Sequence, residues 1–253
     1  MIARRPKDRQ GPGAGNAPKD RQRQGQGLTA LRAQVLAANV ELGRRGLAPF
    51  TFGNASGIDR ALGLVAIKPS GVSYERMRAS EIVVTDLDGR VVEGKLKPSS
   101  DLATHLELYK AWPSKGGIVH THSHYATVFA QAQKEIIPLG TTHADYFNGP
   151  VPVTRQLTPA EIAKDYEKNT GKVIVARFDG EPNTMDAVLV ASHASFVWGA
   201  TVEEAVETAS VLEEVARMAF HTAVLNPATE PIAMALLHKH FRRKHGPAAY
   251  YGQ

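Results

Sequence analysis

The sequence predicts a single α/β or α+β domain in which helices cover a β-sheet. The order of periodic segments is the first sign: a helix, several strands, a helix, more strands, then closing helices. Size and composition agree, since 253 residues with 43% hydrophobic and 22% charged side chains can fill a substantial core.

The elements follow in order. Leu31, Val35, Ala38 and Leu42 keep a helical period that stops around Gly43 and Gly46. Val65, Ala66 and Ile67 form a β-type run leading into Lys68-Pro69-Ser70-Gly71. The apolar runs 82–84 and 90–92 flank Asp88-Gly89, a hairpin signal. Ser99 and Ser100 can cap a helix that buries Leu102, Leu106 and Tyr109 and ends at Pro113. Residues 117–122 read as a strand, and so do 187–192, which end at His193. Thr201 and Glu204 make a capping box for a long helix carrying Val202, Ala205, Val206, Ala209, Leu212, Ala216 and Ala219. A last helix runs from about Ile232 to His245 and stops at Gly246-Pro247.

Ahead of this body, residues 1–27 are rich in Gly, Gln, Pro and Arg and repeat Pro-Lys-Asp-Arg-Gln at 6–10 and 18–22. They have almost nothing to bury, so a disordered basic extension is expected there, with one domain over 28–253. The extension holds seven of the 30 Lys and Arg and two of the 25 Asp and Glu, which is the whole of the net +5. The body is neutral, so a nucleic-acid partner is not expected; a weak polyanion-binding arm is the sharper reading of the tail and a segment without a role the plainer one. There is no cysteine, which excludes disulfides and thiolate ligands and leaves any metal to histidine, carboxylate and water. No apolar run approaches a membrane span and no signal-peptide core is present, so a cytoplasmic location is expected.

Two constellations carry chemistry. His120 and His122 are separated by one residue on a predicted strand, so both side chains leave the same face and can converge on one ion. His193 closes a second apolar run and would complete a three-imidazole site suited to zinc, with a coordination position left open. His105, His124 and His143 read instead as surface residues or as partners of a ligand. For an anion, Lys68, Ser70 and Gly71 combine a cation, a hydroxyl and close backbone approach. Ser99 and Ser100, at a predicted helix N-terminus, favour a phosphate, and Asn54 could add an amide donor. Metal and anion sites together suggest a sugar phosphate.

These segments, with Gly53-Asn54, Lys97-Pro98-Ser99-Ser100-Asp101, Gly117 to Ser123, Gly140 to Phe147 and the terminal Tyr250-Tyr251-Gly252-Gln253, resemble the class II aldolase/epimerase family. The likeness runs from about Leu31 to Gln253. It implies a three-layer domain with a central, largely antiparallel sheet. It implies zinc, or manganese or another divalent metal, on His120, His122 and His193 with Asp101 beside it. Asn54, Lys68, Ser70, Gly71, Ser99 and Ser100 would hold the substrate phosphate, and Asp145 and Tyr251 would transfer protons with Thr141 and His240 close by. The family is tetrameric with active sites between subunits, so Tyr251 and His240 would come from a neighbouring chain. None of these positions departs from the family's pattern.

The activity so implied is epimerisation of L-ribulose 5-phosphate to D-xylulose 5-phosphate. The C4 proton of a 2-ketopentose is not acidic, whereas cleavage of C3–C4 lets the carbonyl take the electrons, with a cation stabilising the charge. Aldolases of the family carry a glutamate base where this chain has Asp101; that residue and the Asp145/Tyr251 pair are why epimerisation is expected ahead of aldol cleavage with release of free aldehyde. Scaffold relatives that lost the metal histidines are a third class, and all three histidines are present here.

Overall fold

A computed structural model of the chain describes residues 17–250. Helix α1 spans Ala17–Arg44 and therefore begins well ahead of Leu28, where the sequence places the start of the folded body. Once Leu31, Val35 and Leu42 are anchored in the core, each residue added in front costs little beyond its own ordering. Residues 1–16 of the expected extension lie outside the described residues.

Seven strands follow: β1 (Gly53–Asp59), β2 (Leu64–Ile67), β3 (Val83–Asp86), β4 (Val91–Glu93), β5 (Gly117–Thr121), β6 (Ala187–Leu189) and β7 (Ser195–Gly199). They form one sheet in the order β4-β3-β2-β1-β5-β7-β6, and every neighbouring pair is antiparallel. The Asp88-Gly89 hairpin is present: Gly89 has φ +84, and Asp86 Oδ1 accepts from the amides of Asp88 and Arg90 at 2.9 Å each.

Strand alternation builds two cores. On one face Ala55, Ala66, Val84, Val119, Leu189 and Val197 pack under α1, α3 (His124–Ala132) and α7 (Val202–Leu225). On the other, Val65, Ile67, Ile118, Phe196 and Trp198 pack under α2 (Leu102–Ala111) and α6 (Tyr166–Ala176). The result is three layers. The short helices α4 (Thr141–Ala144) and α5 (Pro159–Ala163) and the terminal α8 (Met234–His245) lie around them, with α8 packed on α4. Among the described residues no helix is long and apolar enough to cross a membrane.

A row of glycines sets the depth of α7. Gly57, Gly117 and Gly199 face one another in register across β1, β5 and β7. A Cβ on Gly117 would lie 2.5 Å from the Cα of Val202, and one on Gly199 would lie 2.8 Å from the amide nitrogen of Ala205. Only hydrogen at these positions lets the first turn of α7 rest on the sheet.

Several expectations are corrected. Helix α2 has Asp101 rather than a serine as its N-cap, and its cap makes no side-chain hydrogen bond. Strand β6 stops at Leu189, so His193 stands in the turn to β7 rather than at a strand end. Thr201 does cap α7, its side chain accepting from Glu204 N at 3.1 Å, but the Glu204 carboxylate returns to Ala200 N at 2.8 Å instead of to the cap residue. Strands β1 and β7 and helices α3 to α6 have no counterpart in the periodicity reading.

Candidate metal and phosphate site

Sheet register places the first candidate ligand. Asn54, His120 and Phe196 lie opposite one another across β1, β5 and β7, pointing to the α2–α6 face. The His120 ring stacks on Phe196 at 4.2 Å between centroids, and its Nδ1 lies 2.9 Å from the Ser195 carbonyl. A carbonyl only accepts, so Nδ1 carries the proton and Nε2 keeps its lone pair. His122 follows just past β5. His193 comes in from the β6–β7 turn, where Ser192 before it has φ 60, a left-handed conformation rare for a non-glycine residue. The three rings stand 4.9 to 5.0 Å apart between centroids.

Potential ligand atoms of His120, His122 and His193 all lie within 4.8 Å of one another. Burial, then the neighbouring His120, push His122 down to about 4 and His193 to about 4, so both imidazoles are neutral at ordinary pH, the state a metal ligand needs. Burial works against ionisation of Asp101, but His120, His105, the Asn54 hydrogen bond and His193 outweigh it and hold the carboxyl below its usual range. Three imidazoles beside a carboxylate fit a divalent ion of zinc type.

These groups line one cleft of about 410 Å³ with Asn54, Lys68, Ser70, Gly71, Ser99, Ser100 and Asp101. The two anion-site loops are laced together, Ser70 N donating to Lys97 O and Ser99 N to Lys68 O, both at 2.9 Å. Lys68 is almost fully buried, its ammonium 5.0 Å from the centre of the Tyr74 ring, and burial lowers its pKa. A charge so poorly hydrated gains strongly from an incoming phosphate. Asn54 is committed differently from the expectation. Its amide nitrogen donates to Asp101 Oδ2 at 2.7 Å and Ser99 Oγ at 3.0 Å, so it braces the carboxylate.

Asp145, Thr141 and His240 are not in this cleft. Asp145 lines a separate groove, where it binds Arg243 at 2.8 Å and His240 at 3.0 Å, and Arg243 and His240 hold its carboxyl low against the opposing effect of burial. Thr141 begins α4, the helix that leads to Asp145. Tyr251 lies outside the described residues. Of the remaining histidines, His105 is fully buried, its Nδ1 2.7 Å from Ser56 Oγ, His143 bonds Gly149 O at 2.7 Å, and His124 is exposed. The cleft also contains Phe52, Tyr166 and Glu167, which no motif announced.

The fold agrees with what similar proteins show. The description Class II Aldolase and Adducin N-terminal domain matches residues 33–220. This chain belongs to the class II aldolase and adducin N-terminal domain family. It is 55% identical over 227 residues to the L-ribulose-5-phosphate 4-epimerase UlaF of Salmonella paratyphi B, covering 89% of this chain and 100% of that one. Identity to the UlaF protein of Salmonella typhi is 54% over the same shares. Among solved structures, an L-fuculose 1-phosphate aldolase superposes with a TM-score of 0.72 at 26% identity, over 84% of this chain and 96% of that one. The three-layer, antiparallel class II aldolase fold expected from the motifs is the fold observed.

Proposed function

We propose that this class II aldolase-family chain is a divalent-metal-dependent epimerase that interconverts L-ribulose 5-phosphate and D-xylulose 5-phosphate. The observation that carries the reading is one cleft holding three converging imidazoles and a desolvated lysine between two serine-bearing loops. Full-length likeness to curated epimerases supports the choice of reaction.

His120, His122 and His193 would hold the ion, with Asp101 beside them. When bound, the ion supplies Lewis-acid stabilisation to charge developing on the ketose oxygens. A base takes the proton of the C4 hydroxyl, the C3–C4 bond breaks, and its electrons pass to the C2 carbonyl. The freed aldehyde keeps its phosphate, held by Lys68, Ser70, Gly71, Ser99 and Ser100. It turns about that anchor and is attacked on its other face, and an acid returns the proton to the C4 oxygen. Inversion needs proton-transfer groups on both sides of C4, the roles of Asp145 and Tyr251. Asp145, hydrogen-bonded to His240, lines a different groove of the same chain, which supports a homotetramer whose sites combine two subunits.

The test is a coupled assay on L-ribulose 5-phosphate with and without chelator. Production of D-xylulose 5-phosphate, lost with chelator and restored by zinc or manganese, is expected. Free dihydroxyacetone phosphate from L-fuculose 1-phosphate, at a comparable rate, would transfer the protein to the aldolases.

A further inference from the structure

We propose that Tyr166 is a positioning residue for the metal centre: its phenol oxygen accepts the Nδ1–H of His193 and so turns that ring's Nε2 toward the ion. The inference rests on the reading of the three imidazoles as ligands. Tyr166 Oη lies 3.3 Å from His193 Nδ1, with the ring centroids 6.2 Å apart.

The backbone supporting this contact is strained on both sides. Ser192 (φ 60) immediately precedes His193, and Asp165 (φ 57) immediately precedes Tyr166. Left-handed backbone at a residue with a Cβ persists where the surroundings over-determine it. They do so here. Ser192 N donates to Ala130 O at 2.9 Å and His193 N to Val190 O at 3.0 Å, pinning the turn. On the other side Thr104 Oγ1 donates to Glu167 O at 2.6 Å, and Thr170 Oγ1 to Tyr166 O at 3.0 Å. Gly171 lets α6 lie directly on α2, where an added Cβ would stand 2.7 Å from Glu107 Cβ and 3.0 Å from Thr104 O. The first turn of α6 is thus carried by the helix whose N-cap, Asp101, lines the same cleft.

His120 offers the parallel. Its Nδ1 is engaged by the Ser195 carbonyl, which leaves Nε2 for coordination. Tyr166 gives His193 the equivalent oxygen, and such partners fix the tautomer and ring angle of a metal-bound histidine.

Tyr166→Phe removes the oxygen and keeps the ring. Zinc affinity is measured by competition with a chromophoric chelator, and the visible spectrum is recorded after cobalt(II) loading. Affinity about 10-fold weaker than wild type is expected, with shifted cobalt bands, an unchanged melting temperature of the metal-free chain, and turnover recovered at saturating zinc. Equal affinity with superimposable cobalt spectra would overturn the inference. So would a loss of affinity matched by unfolding of the metal-free variant, which assigns Tyr166 to packing alone. A wild-type chain that takes up neither zinc nor cobalt would overturn the metal reading itself, and this inference with it.

Discussion

His120 and His122 could be read from the sequence because side-chain alternation along a strand is a local rule, and two residues apart is enough to apply it. Tyr166 could not, since it reaches the cleft and His193 only through contacts made across the fold. The residues differ in what their loss should do. His122→Ala is expected to lose the metal, read by metal content after purification. Asp145→Asn should keep metal and fold yet lose roughly 10²- to 10⁴-fold in turnover, the usual weight of a proton-transfer group; near-normal turnover would leave Asp145 a supporting role. Acid sensitivity also belongs to single side chains. Burial holds His105 down at about 3, and His122 and His193 at about 4, all from 6.5. Above 6.5 folded and unfolded chains are equally deprotonated there. As the pH falls below it, the unfolded chain takes up protons that the folded one refuses, so stability declines down toward 4. The urea midpoint of the metal-free chain should therefore be lower at about pH 5 than at about pH 7.5, and His105→Leu should flatten that slope.

Among elements, those with a strong period were legible: α7, α8, the C-terminal end of α1 and the strands β2 to β5 stand close to where the sequence puts them. β1 was not. Gly-Asn-Ala-Ser-Gly has poor β-propensity, and it is a central strand because its small residues let helices lie close on the sheet. A Cβ on Gly57 would meet Val202 Cγ2 at 2.6 Å and Leu31 Cδ1 at 3.0 Å. Gly117→Ala, which sets a methyl against the α7 backbone, should destabilise the chain by about 1–3 kcal/mol in urea unfolding. A smaller effect than that of Gly63→Ala, at an open turn with φ +64, would show that α7 can lift away. Helix α2 starts one or two residues later than Ser99-Ser100 implied, so those serines form a loop that reaches the cleft beside the N-cap.

At the scale of the whole molecule, the metal-type cleft and the Asp145 cluster are separate features of one chain. Two defective chains should then rescue each other. Co-expressed His122→Ala and Asp145→Asn chains are expected to yield assemblies with activity absent from either parent, because some sites would pair an intact cleft with an intact Asp145. A mixture as inactive as its parents, despite mixed assemblies being present, would confine each site to one chain.

By itself the sequence determined the class of fold, the family, the paired histidines and the two loops proposed to hold an anion. All of these rest on patterns within a few residues or on motifs in a row. Only the tertiary structure decided that His193 arrives from a turn, that Asn54 braces Asp101, that Tyr166 lies against His193, and that Asp145 sits with His240 outside the cleft. Those depend on which distant segments the two cores press together, and no local period encodes that.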